Sequence, residues 1–350
     1  MPIITKYEEA RRVYEEAGAS GICLPAFAAE DREPLEAILA AGAEIATEVC
    51  RPDLPVIVTW TARYPPRPQM TKVLACGDPF LGMRAMLSDL RILMSDRGPY
   101  HRLTVLPHLD HFVPWMDEDV LDGHWDNFAS VLIDASEKSD ADNVSITREY
   151  ADRFRGRLIV EGVVDGIPES GSDTREVRKT TAEKAKNFRD RTGVDLIVAS
   201  VGTEHRSTTQ TLGYDERLAM RISTVVGRVL SLHGSSSLNE RSFARLSDCG
   251  FLKINIFTAL AVAGGQAVVR HVLENMSAVF DDTQIHGMMR DGLLGSKALI
   301  RGNHPRDGET RPRLDHLANE LRRNAWFLAV KERCRKYFLL LDYARYGICS

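Results

Sequence analysis

Paired cysteines, long apolar runs and blocks of like charge are all missing from this 350-residue chain, and each absence removes a class of protein. The six cysteines, Cys23, Cys50, Cys76, Cys249, Cys334 and Cys349, stand apart with no Cys-x-x-Cys spacing. That pattern argues against a disulfide framework and fits free thiols in a reducing compartment. Glu8 and Glu9 come early and no apolar h-region precedes them, so no signal peptide is expected and a cytoplasmic location is. No apolar run approaches the roughly 20 residues that a membrane-crossing helix needs, so no membrane partner is expected. Lys and Arg number 45 against 49 Asp and Glu, and the formal net charge of -4 is interspersed along the chain. With no basic footprint, no nucleic-acid partner is expected, and Arg333–Lys336 reads as a solvated helix face.

What the chain has instead is a series of short apolar runs that give out at polar residues. Leu103–Leu106 leads to His108, Asp110 and His111; Ser130–Ile133 to Asp134; Leu158–Val160 to Glu161. Leu196–Val198 leads to Ser200 with His205 beyond, Val229–Leu232 to His233, and Leu252–Ile254 to Asn255. Parallel strands buried on both faces read as such runs, and their C-terminal ends open toward the loops where ligands bind. Two earlier runs, Gly21–Phe27 and Pro55–Thr59, bring the count to eight, with helical periodicity between them. Arg32–Val49, Met83–Met94, Ala141–Phe154, Thr181–Thr192, Asp215–Val226 and Glu240–Cys249 read as helices, and Ala62–Gln69, rich in Arg and Pro, as an irregular loop. The expected fold is α/β, a (β/α)8 TIM barrel over residues 1–311 with a helical C-terminal extension over 312–350. An open doubly wound sheet would want a glycine-rich turn after the first strand, and none is present.

His111, His205 and His233 are the right number and type of donor for a catalytic divalent metal that keeps an open coordination position. Asp110 can act on a substrate oxygen or proton. Glu169 lies in Gly166–Lys179, a polar segment that reads either as a lid carrying a carboxylate or as an exposed connector. Gly234–Ser237 after the seventh strand reads either as a phosphate cradle or as a helix cap. The C-terminal aromatics Trp326, Phe327, Tyr337, Phe338, Tyr343 and Tyr346 read as packing on the barrel or across a dimer.

On these motifs the chain resembles the class II, metal-dependent fructose-bisphosphate aldolases, as a divergent member. The ordered runs are PHLDHF (Pro107–Phe112), VPWMDEDVLDG (Val113–Gly123), SVLIDASEKS (Ser130–Ser139), VEGVVDGIPES (Val160–Ser170), ASVGTEH (Ala199–His205), LHGSSS (Leu232–Ser237) and KINIFT (Lys253–Thr258). The early LPAFAAED (Leu24–Asp31) and PVIVTWT (Pro55–Thr61) are similar as well. The resemblance implies zinc, or another divalent ion, on His111, His205 and His233, with Glu161 and Asp134 as acids near it that serve an alternative metal position. It implies Asp110 at the hydroxyl of the cleaved bond and Glu169 as the proton exchanger at the nucleophilic carbon, the reaction passing through a metal-stabilised enediolate. Asn255, Thr258, Gly234 and Ser236 would hold the dihydroxyacetone phosphate half, and Thr61 replaces a substrate-contacting serine.

The departures are as specific as the matches. The histidine-glycine pair of the family is His205-Arg206, and the lysine expected soon after is Thr209. The Gly-Gly-Ser-Gly phosphate loop is Gly234-Ser235-Ser236-Ser237, and Phe257 replaces an acidic or small residue. No C-terminal motif supplies the arginine for a second phosphate, though Arg322, Arg323 and Arg345 are available. Metal and proton-transfer residues are thus kept while the phosphate-grasping parts are rewritten. That pattern favours a changed substrate over a dead enzyme, and the expectation is an aldehyde-lyase of carbohydrate metabolism acting on a sugar phosphate; a homodimer or homotetramer is expected because closed symmetric assemblies are the commonest. Two alternatives remain: a related aldolase or epimerase for an unphosphorylated sugar, and a noncatalytic barrel used as a binding partner. Arg206 either replaces the missing lysine or blocks the pocket.

Overall fold

The computed structural model describes residues 3–170, 179–207, 213–295 and 323–347. Eight parallel strands close into a barrel in chain order: β1 (Leu24–Ala28), β2 (Pro55–Thr61), β3 (Thr104–Phe112), β4 (Ser130–Ile133), β5 (Ile159–Val163), β6 (Leu196–Val198), β7 (Leu230–Leu232) and β8 (Phe251–Ile256). Pairing of Leu24 with Lys253 through Phe27 with Ile256 makes the closure between β1 and β8. Helices surround the strands, and further helices follow the barrel toward the C-terminus.

Several helices start where the sequence supplies acceptors for their free N–H groups. Asp31 caps Arg32–Glu48, Ser139 caps Asp140–Phe154, Thr181 caps Ala182–Thr192 and Asp215 caps Glu216–Val226. The helix expected from Met83 begins earlier, at Pro79, because Asp78 caps it and proline suits the first turn. The one expected to reach Cys249 is shorter, Glu240–Ala244, and the chain turns into β8 through Gly250 at φ 89°.

β3 is longer than its apolar run. It stays in register with β2 as far as Thr61 opposite Asp110, so His108, Asp110 and His111 lie within the strand rather than after it. The hydrophobic signal stops early because the inward-facing positions near the barrel mouth are polar, while the backbone ladder continues.

The C-terminal aromatics pack on the barrel wall. In the Leu328–Leu340 helix, Phe338 is fully buried and meets Phe27 edge-on at 5.2 Å and Tyr343 at 4.8 Å. Tyr337 lies 4.9 Å from Phe243. Gly42 lets the Arg32–Glu48 helix lie close on β2, since a Cβ there would come within 2.8 Å of Val56. The border expected between 311 and 312 lies outside the described residues. Among the described residues, no helix is long and apolar enough to cross a membrane.

Truncation of Phe338 would leave a cavity between this helix and β1. Phe338→Ala is expected to lower unfolding free energy by about 3–5 kcal/mol, read from urea denaturation, and a loss under about 1 kcal/mol would contradict the packing described.

Candidate active site

The site depends on a break in strand alternation. Successive residues of a strand face opposite sides, yet Asp110 and His111 both line one pocket at the barrel mouth. The register between β3 and β4 shifts between Leu109 and Phe112, and His111 takes φ 46°. This bulge turns the imidazole inward at a conformation that non-glycine residues rarely adopt. Asp134, at the end of β4, receives His111 Nδ1 at 2.7 Å and is itself held by Ser136. Tyr64 stacks on the other side of the ring, with centroids 4.1 Å apart.

His205 follows β6 and His233 follows β7, and both rings stand edge-on to His111. One ligand atom from each of the three lies within 4.8 Å of the others. His111 Nε2 and His233 Nε2 are buried without a hydrogen-bond partner. Orphaned buried nitrogens at such spacing, with one ring oriented by a carboxylate on its far side, fit a divalent metal ion. Burial pushes His205 down to about 3, with neighbouring His111 and Arg67 adding to the shift, and burial likewise holds His233 well below the ordinary range. His205 and His233 are therefore kept as neutral donors.

Beside them, Asp110 uses its two oxygens on different partners. Oδ1 accepts from Asn255 Nδ2 at 2.9 Å, and Oδ2 from Arg67 Nη2 at 2.5 Å. Burial pushes this carboxyl up, but nearby His111, His108, His233 and Arg67 outweigh it and hold it well below the usual carboxylate range. Across the pocket Arg206 Nε donates to Glu169 at 2.6 Å, and a backbone bridge joins Glu169 to His205.

Over residues 8–297 the sequence matches the family Fructose-bisphosphate aldolase class-II. The chain belongs to this family. Three solved structures share its fold. A fructose-bisphosphate aldolase (Fba) from Campylobacter jejuni is 19% identical, with 98% of this chain and 96% of that one covered at a TM-score of 0.71. The YdjI aldolase from Escherichia coli K12 is 20% identical, covering 97% and 98%, at 0.59. A putative fructose-1,6-biphosphate aldolase from Coccidioides immitis is 20% identical, covering 96% of each chain, at 0.61.

Within this class-II aldolase the structure brings most of the expected residues to one place. His111, His205, His233, Asp110, Glu169, Arg206, Gly234, Ser236, Asn255 and Thr258 all line the same pocket. Asp134 stands behind His111. Glu161 and Thr61 do not reach the pocket: Glu161 is sealed inside the barrel with Oε1 2.8 Å from Lys253 Nζ, and the Thr61 hydroxyl is given to the backbone carbonyl of Arg67. Arg323 pairs with Glu36 and Arg345 with Asp342, away from the pocket. Thr209, Arg322, Cys349 and residues 171–178 of the expected lid lie outside the described residues.

Arg206, where the resemblance implied a glycine, takes φ 54°, a left-handed conformation that a side chain fits poorly. Gly234 is kept where φ is 73° and a Cβ would come within 2.8 Å of Glu204. The replacement serines tie the loop to backbone: Ser235 donates to the Asn255 carbonyl at 2.6 Å and Ser237 to the Gly234 carbonyl at 2.8 Å.

Tyr64, Arg67, Lys253 and Phe257 were not assigned roles from the sequence. Tyr64 and Arg67 sit in an aperiodic loop, where no pattern points to them. Lys253 did carry a signal: a lone charge inside an apolar strand, two residues before Asn255 and hence on the same face. The Asp134 contact with His111 leads to a direct prediction. Asp134→Asn should weaken metal binding by about 10–100-fold in competition with a chelating dye, and unchanged affinity would contradict its orienting role.

Proposed function

We propose that the chain is a zinc-dependent aldolase that cleaves or forms a carbon–carbon bond in a ketose phosphate or closely related sugar. The observation that carries this reading is the convergence of three imidazoles, His111 and His233 buried and His205 half-buried, with Asp110 and Glu169 in one pocket. A divalent ion held by His111, His205 and His233 would supply Lewis-acid polarisation of the substrate ketone, and nitrogen donors with an open position suit zinc.

The chain's own residues divide the remaining work. Asp110, kept ionised and oriented by Asn255, takes the proton from the hydroxyl of the bond that breaks. Glu169 exchanges the proton at the nucleophilic carbon of the ketone half. Asn255, Gly234, Ser236 and Thr258 hold that half: the Ser236 hydroxyl is buried without a partner, and Thr258 opens a 17-residue helix whose first N–H groups favour an anion. In this reading Thr61 acts through the Arg67 loop rather than on substrate, Asp134 orients His111, and Glu161 neutralises Lys253. Arg206 stands in for the missing lysine as an anion ligand. Free cysteines among the described residues are in keeping with a cytoplasmic enzyme, and a homodimer or homotetramer is the assembly proposed.

A second reading has its own observation. Ser235 and Ser237 replace loop glycines and direct their hydroxyls to backbone carbonyls rather than to a ligand, which favours a substrate without phosphate on the ketone half. Triose-phosphate release from a panel of ketose mono- and bisphosphates, with and without chelator, separates the two. Release that chelator and His111→Ala both abolish is expected. Release that survives chelation would contradict the mechanism, and bound zinc with no release from any phosphorylated ketose would move the assignment to the unphosphorylated substrate.

A further inference from the structure

Arg67 is the one pocket cation bonded to Asp110, and its seat is built rather than incidental. Two prolines, Pro65 and Pro66, precede it; its N–H donates to the Tyr64 carbonyl at 2.8 Å, and its own carbonyl accepts from Thr61 and from the Gln69 N–H at 3.0 Å. The guanidinium carbon lies 4.6 Å from the centre of the Phe257 ring, and the side chain is only 13% exposed. An acidic residue in place of Phe257 would pair with this cation and cancel it. A phenyl ring holds it by its π face and adds no counter-charge, the carboxylates that feel the Arg67 charge being Asp110 and Glu30.

The two oxygens of Asp110 separate two sides of the site. Oδ1 faces Asn255, which the proposed function places on the ketone half, and Oδ2 faces Arg67. The carbon whose hydroxyl meets Asp110 becomes the carbonyl carbon of the aldehyde product, and Arg67 is the cation bonded to that carboxylate through the oxygen that does not meet Asn255. A guanidinium presents five N–H donors in a planar fork that matches a carboxylate or phosphate pairwise, and Asp110 accepts from one of them.

We propose that Arg67 is a specificity-determining residue that reads an anionic group on the aldehyde half of the substrate. The inference rests on the aldolase reading. In the condensation direction the ketone donor loses a proton from carbon and that carbon bonds to the aldehyde carbonyl carbon. The carbonyl oxygen takes up a proton to become the hydroxyl beside Asp110. An anion on the aldehyde docks on the Arg67 fork and seats that carbonyl.

The test uses matched acceptors with dihydroxyacetone phosphate as donor. Glyoxylate is compared with neutral glycolaldehyde, and D-glyceraldehyde 3-phosphate with neutral D-glyceraldehyde, so that the two pairs distinguish an adjacent carboxylate from a more distant phosphate. The wild-type protein should favour the anion in at least one pair, and Arg67→Gln should lower that pair's ratio of kcat/KM values tenfold or more. Arg67→Lys, which keeps the charge and loses the fork, should fall between them. Phe257→Leu reads the same ratio through a variant that retains the arginine and should lower it by a smaller factor. Ratios unmoved in Arg67→Gln, or a wild-type preference for both neutral acceptors, would overturn the proposal.

Exchange of the donor's carbon-bound proton with solvent deuterium, followed by NMR without acceptor, tests the aldolase reading separately. Were exchange absent, that reading would fail. Calorimetric binding of glyoxylate to the metal-loaded protein, expected to weaken tenfold or more in Arg67→Gln, would still decide the role of Arg67, equal binding going against it.

Discussion

Inside the barrel a single ammonium, Lys253 Nζ, ties together groups that otherwise have no reason to share an apolar interior. It lies 2.8 Å from Glu161 Oε1, 2.7 Å from Asn255 Oδ1 and 3.1 Å from His108 Nε2, and all four side chains are buried. Charges removed from water are costly unless paired, and here one cation is ion-paired with a carboxylate and hydrogen-bonded to an amide and an imidazole. Its donation to Asn255 Oδ1 fixes the amide so that Nδ2 points to Asp110. Its donation to His108 Nε2 places the imidazole proton on Nδ1, which meets Ser130 Oγ at 2.7 Å. Removing the ammonium would leave Glu161 charged in the core and Asn255 free to turn, so the Asp110 carboxylate depends on a group that never touches the pocket.

Above that network the mouth of the barrel has two parts. One is the bulge at His111, the Asp134 contact behind it and the three converging imidazoles. The other is Arg206, Phe257, Ser235 and Ser236, which depart from the family motifs and line the same pocket. Both proton-transfer candidates are paired to arginines, Asp110 to Arg67 and Glu169 to Arg206. Each arginine offsets the carboxylate it holds, so the two pairs together add no net charge beside the three imidazoles.

The sequence makes the barrel legible because strands buried on both faces leave apolar runs, and eight such runs with helices between them admit few topologies. The histidines were legible for the same reason, each following a run. β3 was read short because the polar residues that matter occupy its last turns of alternation, and apolarity there ends before hydrogen bonding does. Arg67 was not legible: its importance comes from a proline-braced loop folding over Asp110, a contact across 43 positions that no periodicity encodes. The family resemblance implied a place near the metal for Glu161. Its true neighbour, Lys253, is a cross-barrel contact between β5 and β8 that strand order alone does not reveal.

The central claim is that His111, His205 and His233 hold one divalent ion beside Asp110. Anomalous diffraction at the zinc edge from crystals of the zinc-loaded protein tests it most directly. The account predicts one strong peak within bonding distance of a ring nitrogen from each of the three histidines. No peak there, or a peak at Glu161 in place of the Lys253 contact, would contradict it.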